Sequence, residues 1–151
     1  MSSAANIVAF DGAATPVSHT FVPVGNEVSA LAEVVSKWRE NLASVAPDNN
    51  CKFRTSFRKL KNGYDKVSCT LEIPYMETIA GQNASGYTAA AKQAYVNTYI
   101  FIGFLSNRSS TLERRIGRQL FTNIMNGVST SVAPVNTGPV AELTDSSITA
   151  Q

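Results

Sequence analysis

Six of the 13 basic residues (Lys52, Arg54, Arg58, Lys59, Lys61 and Lys66) fall between positions 51 and 66, where Asp65 is the only acid. Such a cluster makes a local positive field that attracts phosphate, although the net charge of the chain is only +2. Hydroxyls are interleaved with it: Ser56 stands between Arg54 and Arg58, and Ser68 and Thr70 follow Lys66. An ordinary solvated sheet face would carry similar charges, so composition alone does not separate the two readings. Other chemistries have less to build on. The single histidine, His19, has no carboxylate or cysteine at a recognisable spacing, so triad and zinc readings lack support. Glycine-rich phosphate loops are missing. Glu72 and Glu77 could form an acid/base pair, but they serve better as counter-charges to Arg54 and the nearby lysines. Neither an enzyme, a cofactor nor a metal is expected.

The basic residues sit in two alternating runs. Cys51, Phe53, Thr55 and Phe57 point one way, and Lys52, Arg54, Ser56 and Arg58 the other. Val67, Cys69, Leu71 and Ile73 alternate likewise with Lys66, Ser68, Thr70 and Glu72. Period two over this length is the pattern of half-buried strands. The runs read as an antiparallel hairpin with one apolar face and one basic, hydroxyl-rich face. Opposed residues share a face, so their numbers must sum to an even value. A three-residue loop, Asn62-Gly63-Tyr64, satisfies this with Gly63 left-handed. It predicts Arg58 opposite Ser68, Ser56 opposite Thr70, Arg54 opposite Glu72 and Cys69 opposite Phe57. The two cysteines then read as small core residues rather than a bridge.

The 151 residues, 44% hydrophobic, suit a single domain over 1–151. Residues 6–24 read as an N-terminal hairpin, with Pro23 marking an edge or bulge. Residues 31–105 read as sheet, interrupted by a long loop at 76–92. Leu31 to Trp38 fits strand or helical spacing equally, and Trp38 reads as core. Ala46 to Asn50 is a loop. From Tyr95 to Phe104 the chain is strongly strand-forming, with Tyr95, Asn97 and Tyr99 on one side of it. Ser110 and Glu113 form a capping box that opens a helix over 110–126. Leu112, Ile116, Leu120 and Ile124, with Phe121 and Met125, make its apolar stripe, and Arg114, Arg115 and Arg118 read as a solvated face. Asn126-Gly127 is a plausible stop. Residues 129–151 read as an extended tail in which Pro139 to Leu143 could make one helical turn. No secretory signal and no membrane-spanning stretch is visible. One helix cannot cover a broad sheet, so a second copy is expected to supply the missing cover.

Three motifs, in order, resemble the coat proteins of small single-stranded RNA bacteriophages, the leviviral family. They are Cys51 to Arg58, with its alternating basic and hydroxyl residues; Lys66 to Pro74; and Tyr95 to Tyr99, followed by Ile102 to Asn107 and a helix. The likeness covers about residues 6–128. It implies an α+β fold: an N-terminal β-hairpin, a five-stranded antiparallel sheet, and C-terminal helices interlocking with a partner subunit in an obligate homodimer. It further implies assembly of dimers into an icosahedral shell, formed in the host bacterial cytoplasm and found in the virion. The sheet would face the genomic RNA and bind a stem-loop, repressing replicase translation and marking the RNA for packaging.

Carried over by position, Arg54, Ser56, Ser68 and Thr70 would line pockets for unpaired adenines. Tyr95 would stack on a loop base, Asn97 would hydrogen-bond beside it, and Lys52, Arg58 and Lys66 would contact phosphates. All nine would share the polar face. Tyr95 and Tyr99 could instead be plain cross-strand packing residues. Arg54 replaces a small hydroxyl residue of the best-known members, and Thr70 a lysine, which alters the pocket chemistry. The alternative from another class is a non-capsid dimeric RNA-binding regulator that uses the same sheet.

Overall fold

Alternation of side chains along most of the first hundred residues produces strands, and each pairs with the one before it. The computed structural model describes residues 4–78, 81, 86 and 92–150. Strands β1 (Ile7–Phe10), β2 (Ser18–Val28), β3 (Val34–Glu40), β4 (Lys52–Lys59), β5 (Tyr64–Met76) and β6 (Gln93–Ser106) form one antiparallel sheet in sequence order. Two helices follow, α1 (Thr111–Met125) and α2 (Pro139–Ser146). No helix among the described residues is long and apolar enough to cross a membrane. The long loop expected at 76–92 lies largely outside the described residues; β5 runs to Met76, and Glu77 N donates to Lys92 O at 2.8 Å where β6 begins.

The N-terminal hairpin is not a separate element preceding a five-stranded sheet. Strand β2 bonds to β1 on one side and β3 on the other, so all six strands are continuous. Pro23, which cannot donate to a ladder, sits at a register shift between Pro23 and Gly25 that lets β2 pass between two partners. The stretch ambiguous between strand and helix becomes β3. Pairing on both sides settles it, because β2 and β4 take up its backbone groups.

The β4–β5 register differs from expectation by two residues. Arg58 opposes Lys66, Ser56 opposes Ser68, Arg54 opposes Thr70 and Lys52 opposes Glu72; Cys69 opposes Thr55 rather than Phe57. Leu60 N donates to Tyr64 O at 2.8 Å, which makes the three-residue loop Lys61-Asn62-Gly63. Gly63 is left-handed, φ 79°, at the last loop position. Parity is unchanged by a shift of two, so the faces survive while every opposed pair changes.

One face of the sheet carries the core. Phe21, Trp38 and Ala150 form one cluster and Val67, Cys69 and Leu143 another, with Phe53 packed against both. Leu143 and Val140 come from α2 and Ala150 from the chain after it, so the residues read as an extended tail instead cover the sheet. Ala150 O accepts from Ser36 Oγ at 2.8 Å and Asn26 Nδ2 at 2.9 Å. Pro139 at the first helical position favours α2, since its missing N–H would have had no partner there.

Helix α1 has the expected capping box, and it ends as Val128 N bonds Asn123 O at 2.9 Å over the left-handed Gly127. Its orientation is the surprise. The arginine face is bonded, not solvated. Arg114 donates to Ser106 O, Ser109 Oγ and Ser147 Oγ, while Arg115 and Arg118 reach the buried Asp145 of α2. The apolar stripe faces out, with Leu112, Ile116, Leu120, Ile124 and Met125 all more than half exposed.

Candidate nucleic-acid interface

The face of the sheet opposite α2 collects the even-numbered side chains of β4 and β5. Lys52, Arg54, Ser56 and Arg58 lie in one row, and Lys66, Ser68 and Thr70 in the next. The neighbouring strand adds two cations that sequence reading passed over. Lys37 opposes Arg54 and Arg39 opposes Lys52, so the row widens to β3. The signal was there in the alternation of Lys37 and Arg39 with Ser36 and Trp38, but the helix–strand ambiguity of that stretch obscured it.

The geometry is that of a shallow basic plate with a dip at one end. Lys37, Arg39, Lys52, Arg54, Asp48 and Glu72 line a concavity of about 320 Å³. Lys37 Nζ lies 2.7 Å from Glu27, Arg54 Nη2 3.6 Å from Glu72 and Lys52 Nζ 3.8 Å from Asp48. Glu72 thus balances Arg54 as expected, diagonally rather than directly opposite. Arg58 and Lys66 face each other and form no salt bridge among the described residues. Two like charges directly opposed in a sheet repel unless an anion lies over them. Arg39 Nε is buried without a hydrogen-bond partner, which leaves a donor unsatisfied at the edge of the same dip. In the centre, Ser56 Oγ and Ser68 Oγ share a 2.7 Å bond, and Thr70 is buried beside Arg54. The arrangement suits phosphates around a small polar floor.

Tyr95 and Asn97 do not join this set. Tyr95 opposes Tyr75, Asn97 opposes Ile73 and Tyr99 opposes Leu71, which places all three on the α2 side of the sheet. Tyr95 stacks on Tyr75 with ring centroids 4.9 Å apart. The polar face of β6 holds Val96, Thr98, Ile100, Ile102 and Phe104 instead. Alternation within one strand says which residues travel together; only pairing with its neighbour says to which side they go.

His19 is likewise not alone. Its Nδ1 lies 2.8 Å from Glu40 Oε1 and its Nε2 3.6 Å from Asp11 Oδ2, and the Glu40 bond holds the imidazole pKa above its ordinary value. Asp11 is itself held below the usual carboxylate range, first by the Val17 N–H and then by that of Ala13. Cys51 stands beside Glu40, and burial, reinforced by that carboxylate, pushes its thiol up to about 11. Cys69 rises to about 11 by burial alone, and both cysteines are free.

The model of the levivirus coat protein family matches residues 2–141. This chain belongs to that family. Solved structures agree with the assignment. The chain is similar to the virus-like particle of bacteriophage EMS014 at 27% identity, with 86% of this chain and 81% of that one covered and a TM-score of 0.71. It shares its fold with the virus-like particle of bacteriophage ESE058, at 20% identity, 99% coverage of both chains and a TM-score of 0.68. The same holds for the capsid protein of bacteriophage GA, at 17% identity, 93% and 92% coverage and a TM-score of 0.54. No curated protein sequence matches the chain. The antiparallel sheet of six strands and the two helices match the levivirus coat fold.

Proposed function

We propose that the chain is a structural capsid protein of a single-stranded RNA phage, resident in the virion, whose homodimers self-assemble into an icosahedral shell in the host bacterial cytoplasm. The plate formed by Lys37, Arg39, Lys52, Arg54, Ser56, Arg58, Lys66, Ser68 and Thr70 binds the packaged RNA. The same plate is the surface available to a stem-loop operator that represses replicase translation. Specific reading of RNA targets unpaired bases, and hydroxyls flanked by cations can hydrogen-bond such bases while holding their phosphates.

The observation that carries the reading is the reversed helix. In a single chain α1 binds its arginine face to α2 and turns its apolar stripe to water, a costly arrangement that a second copy relieves. The last strand supports it: among the described residues β6 ends the sheet with one edge unpaired, and Tyr99, Ile100, Ile102 and Phe104 on it are exposed. A long, apolar, uncovered edge strand invites pairing with another chain. A cleft of about 390 Å³ between β6 and α1, lined by Val67, Phe101, Leu105, Gly117 and Phe121, offers a seat for partner side chains.

Electron microscopy of the protein expressed alone, with its ultraviolet absorbance spectrum, tests the proposal. Uniform round particles carrying nucleic acid are expected. Dimers that never form particles, across salt and with RNA added, would favour the non-capsid regulator.

A further inference from the structure

Three side chains, two from strands and one from the residue leading into a third, converge at one end of the sheet, on the face away from the basic plate. His19 comes from β2, Glu40 from the last position of β3, and Cys51 precedes β4, its carbonyl bonded to Glu40 N at 2.9 Å. One donor atom from each (imidazole nitrogen, carboxylate oxygen, thiol sulfur) falls within 4.8 Å of the other two. An ion pair between His19 and Glu40 accounts for two members of the group. It accounts neither for the thiol set against the same carboxylate nor for Asp11 at the far ring nitrogen.

We propose that His19, Glu40 and Cys51 form a binding site for a divalent cation of the zinc class, with Asp11 as its supporting group. The donor set suits such an ion: imidazole, thiolate and carboxylate are the three ligand types zinc takes, and three protein ligands leave one position for water. Donors around one tetrahedral zinc ion stand about 3.4 Å apart, so three donors already within 4.8 Å of one another need only small shifts, with the 2.8 Å His19–Glu40 pair opening slightly. Asp11 Oδ2 stands 3.6 Å from Nε2, and a closure of a few tenths of an ångström (~0.5 Å) lets it accept a hydrogen bond from that N–H, which leaves the Nδ1 lone pair free for the metal. Thiolate and carboxylate together neutralise a divalent ion, and the thiol proton is released to solvent on binding. Glu40 has a side chain 6% exposed, whereas His19 at 29% leaves an approach from water. Bound there, the ion would tie β2, β3 and the entry to β4 together and fasten the N-terminal hairpin to the sheet.

Cobalt(II) titration of tag-free, chelator-treated protein provides the test. One equivalent per chain is expected, with a thiolate-to-cobalt charge-transfer band that zinc abolishes. Cys51→Ser should lose the band, Cys69→Ser should keep it, and Asp11→Asn should weaken binding by about 10-fold. Zinc should raise the unfolding temperature of the unmutated protein, a readout independent of whether any variant folds. Absence of the band and of the zinc shift in the unmutated protein, or a band that survives Cys51→Ser, would overturn the proposal.

Discussion

Asp145 on α2 receives two parallel bonds from Arg118 on α1, Nε to Oδ1 and Nη2 to Oδ2, each at 3.0 Å. Arg115 adds a third at 3.1 Å, and the carboxylate is 2% exposed. This fork fixes which way α1 faces. With Arg115 and Arg118 committed to α2 and Arg114 to Ser106, Ser109 and Ser147, the helix turns its apolar stripe outward.

Replacing Asp145 with Asn leaves two guanidinium groups facing a neutral amide in a buried place. Breaking such a pair from one side costs about 3 kcal/mol. Chemical denaturation should show a loss of that size, with far-ultraviolet circular dichroism reporting whether α2 stays docked.

The same carboxylate sets an acid limit. Burial pulls its pKa up, but the bonds from Arg118 and Arg115 more than offset this, and the net pKa lies below the ordinary 3.8. A group with a depressed folded pKa stabilises fully above its unfolded value and loses that contribution as pH falls through the folded one. Stability should therefore decline as pH drops below 3.8, and more steeply in the unmutated protein than in Asp145→Asn. Equal slopes for the two proteins would show that the fork carries no such linkage.

Leu143, 1% exposed against Val67 and Cys69, anchors α2 to the sheet. Truncation to Ala should cost about 3 kcal/mol from lost burial and the cavity left behind. An unchanged denaturation midpoint would mean that the C-terminal residues are the loose tail their composition suggests.

Ile116 lies in the middle of the exposed stripe. An Asp there meets water in the single chain and should change its own stability by less than about 0.5 kcal/mol. In a dimer it would bury a charge. Sedimentation of Ile116→Asp should give folded monomers and no particles; normal assembly would remove α1 from the interface.

On the face proposed to bind RNA, Lys66→Ala should lower the slope of log affinity against log salt by about 0.7 for a single-stranded ligand. Tyr95→Ala should leave both affinity and slope unaltered, because the register turns that ring to the other side of the sheet. A large loss from Tyr95→Ala in a filter-binding assay would mean that the bound state uses a different β5–β6 pairing.

What the sequence determined by itself was local. Alternation over Lys52 to Lys59 and Tyr64 to Met76 identified two strands, their shared faces and a glycine-dependent loop. Ser110 and Glu113 marked the start of α1, and Gly127 its end, because capping is decided within one turn. Motif order carried the family, and with it the sheet. What only the tertiary structure decided was every relation between distant segments. The two-residue shift of the hairpin, the side on which Tyr95 and Asn97 lie, the meeting of His19 with Glu40 and Cys51, and the docking of the C-terminal residues all depend on pairing and packing partners. Periodicity along a chain repeats every two residues and is blind to which repeat a neighbour chooses. Amphipathicity says that α1 has two faces; only Asp145, 27 residues beyond Arg118, says which one is turned inward.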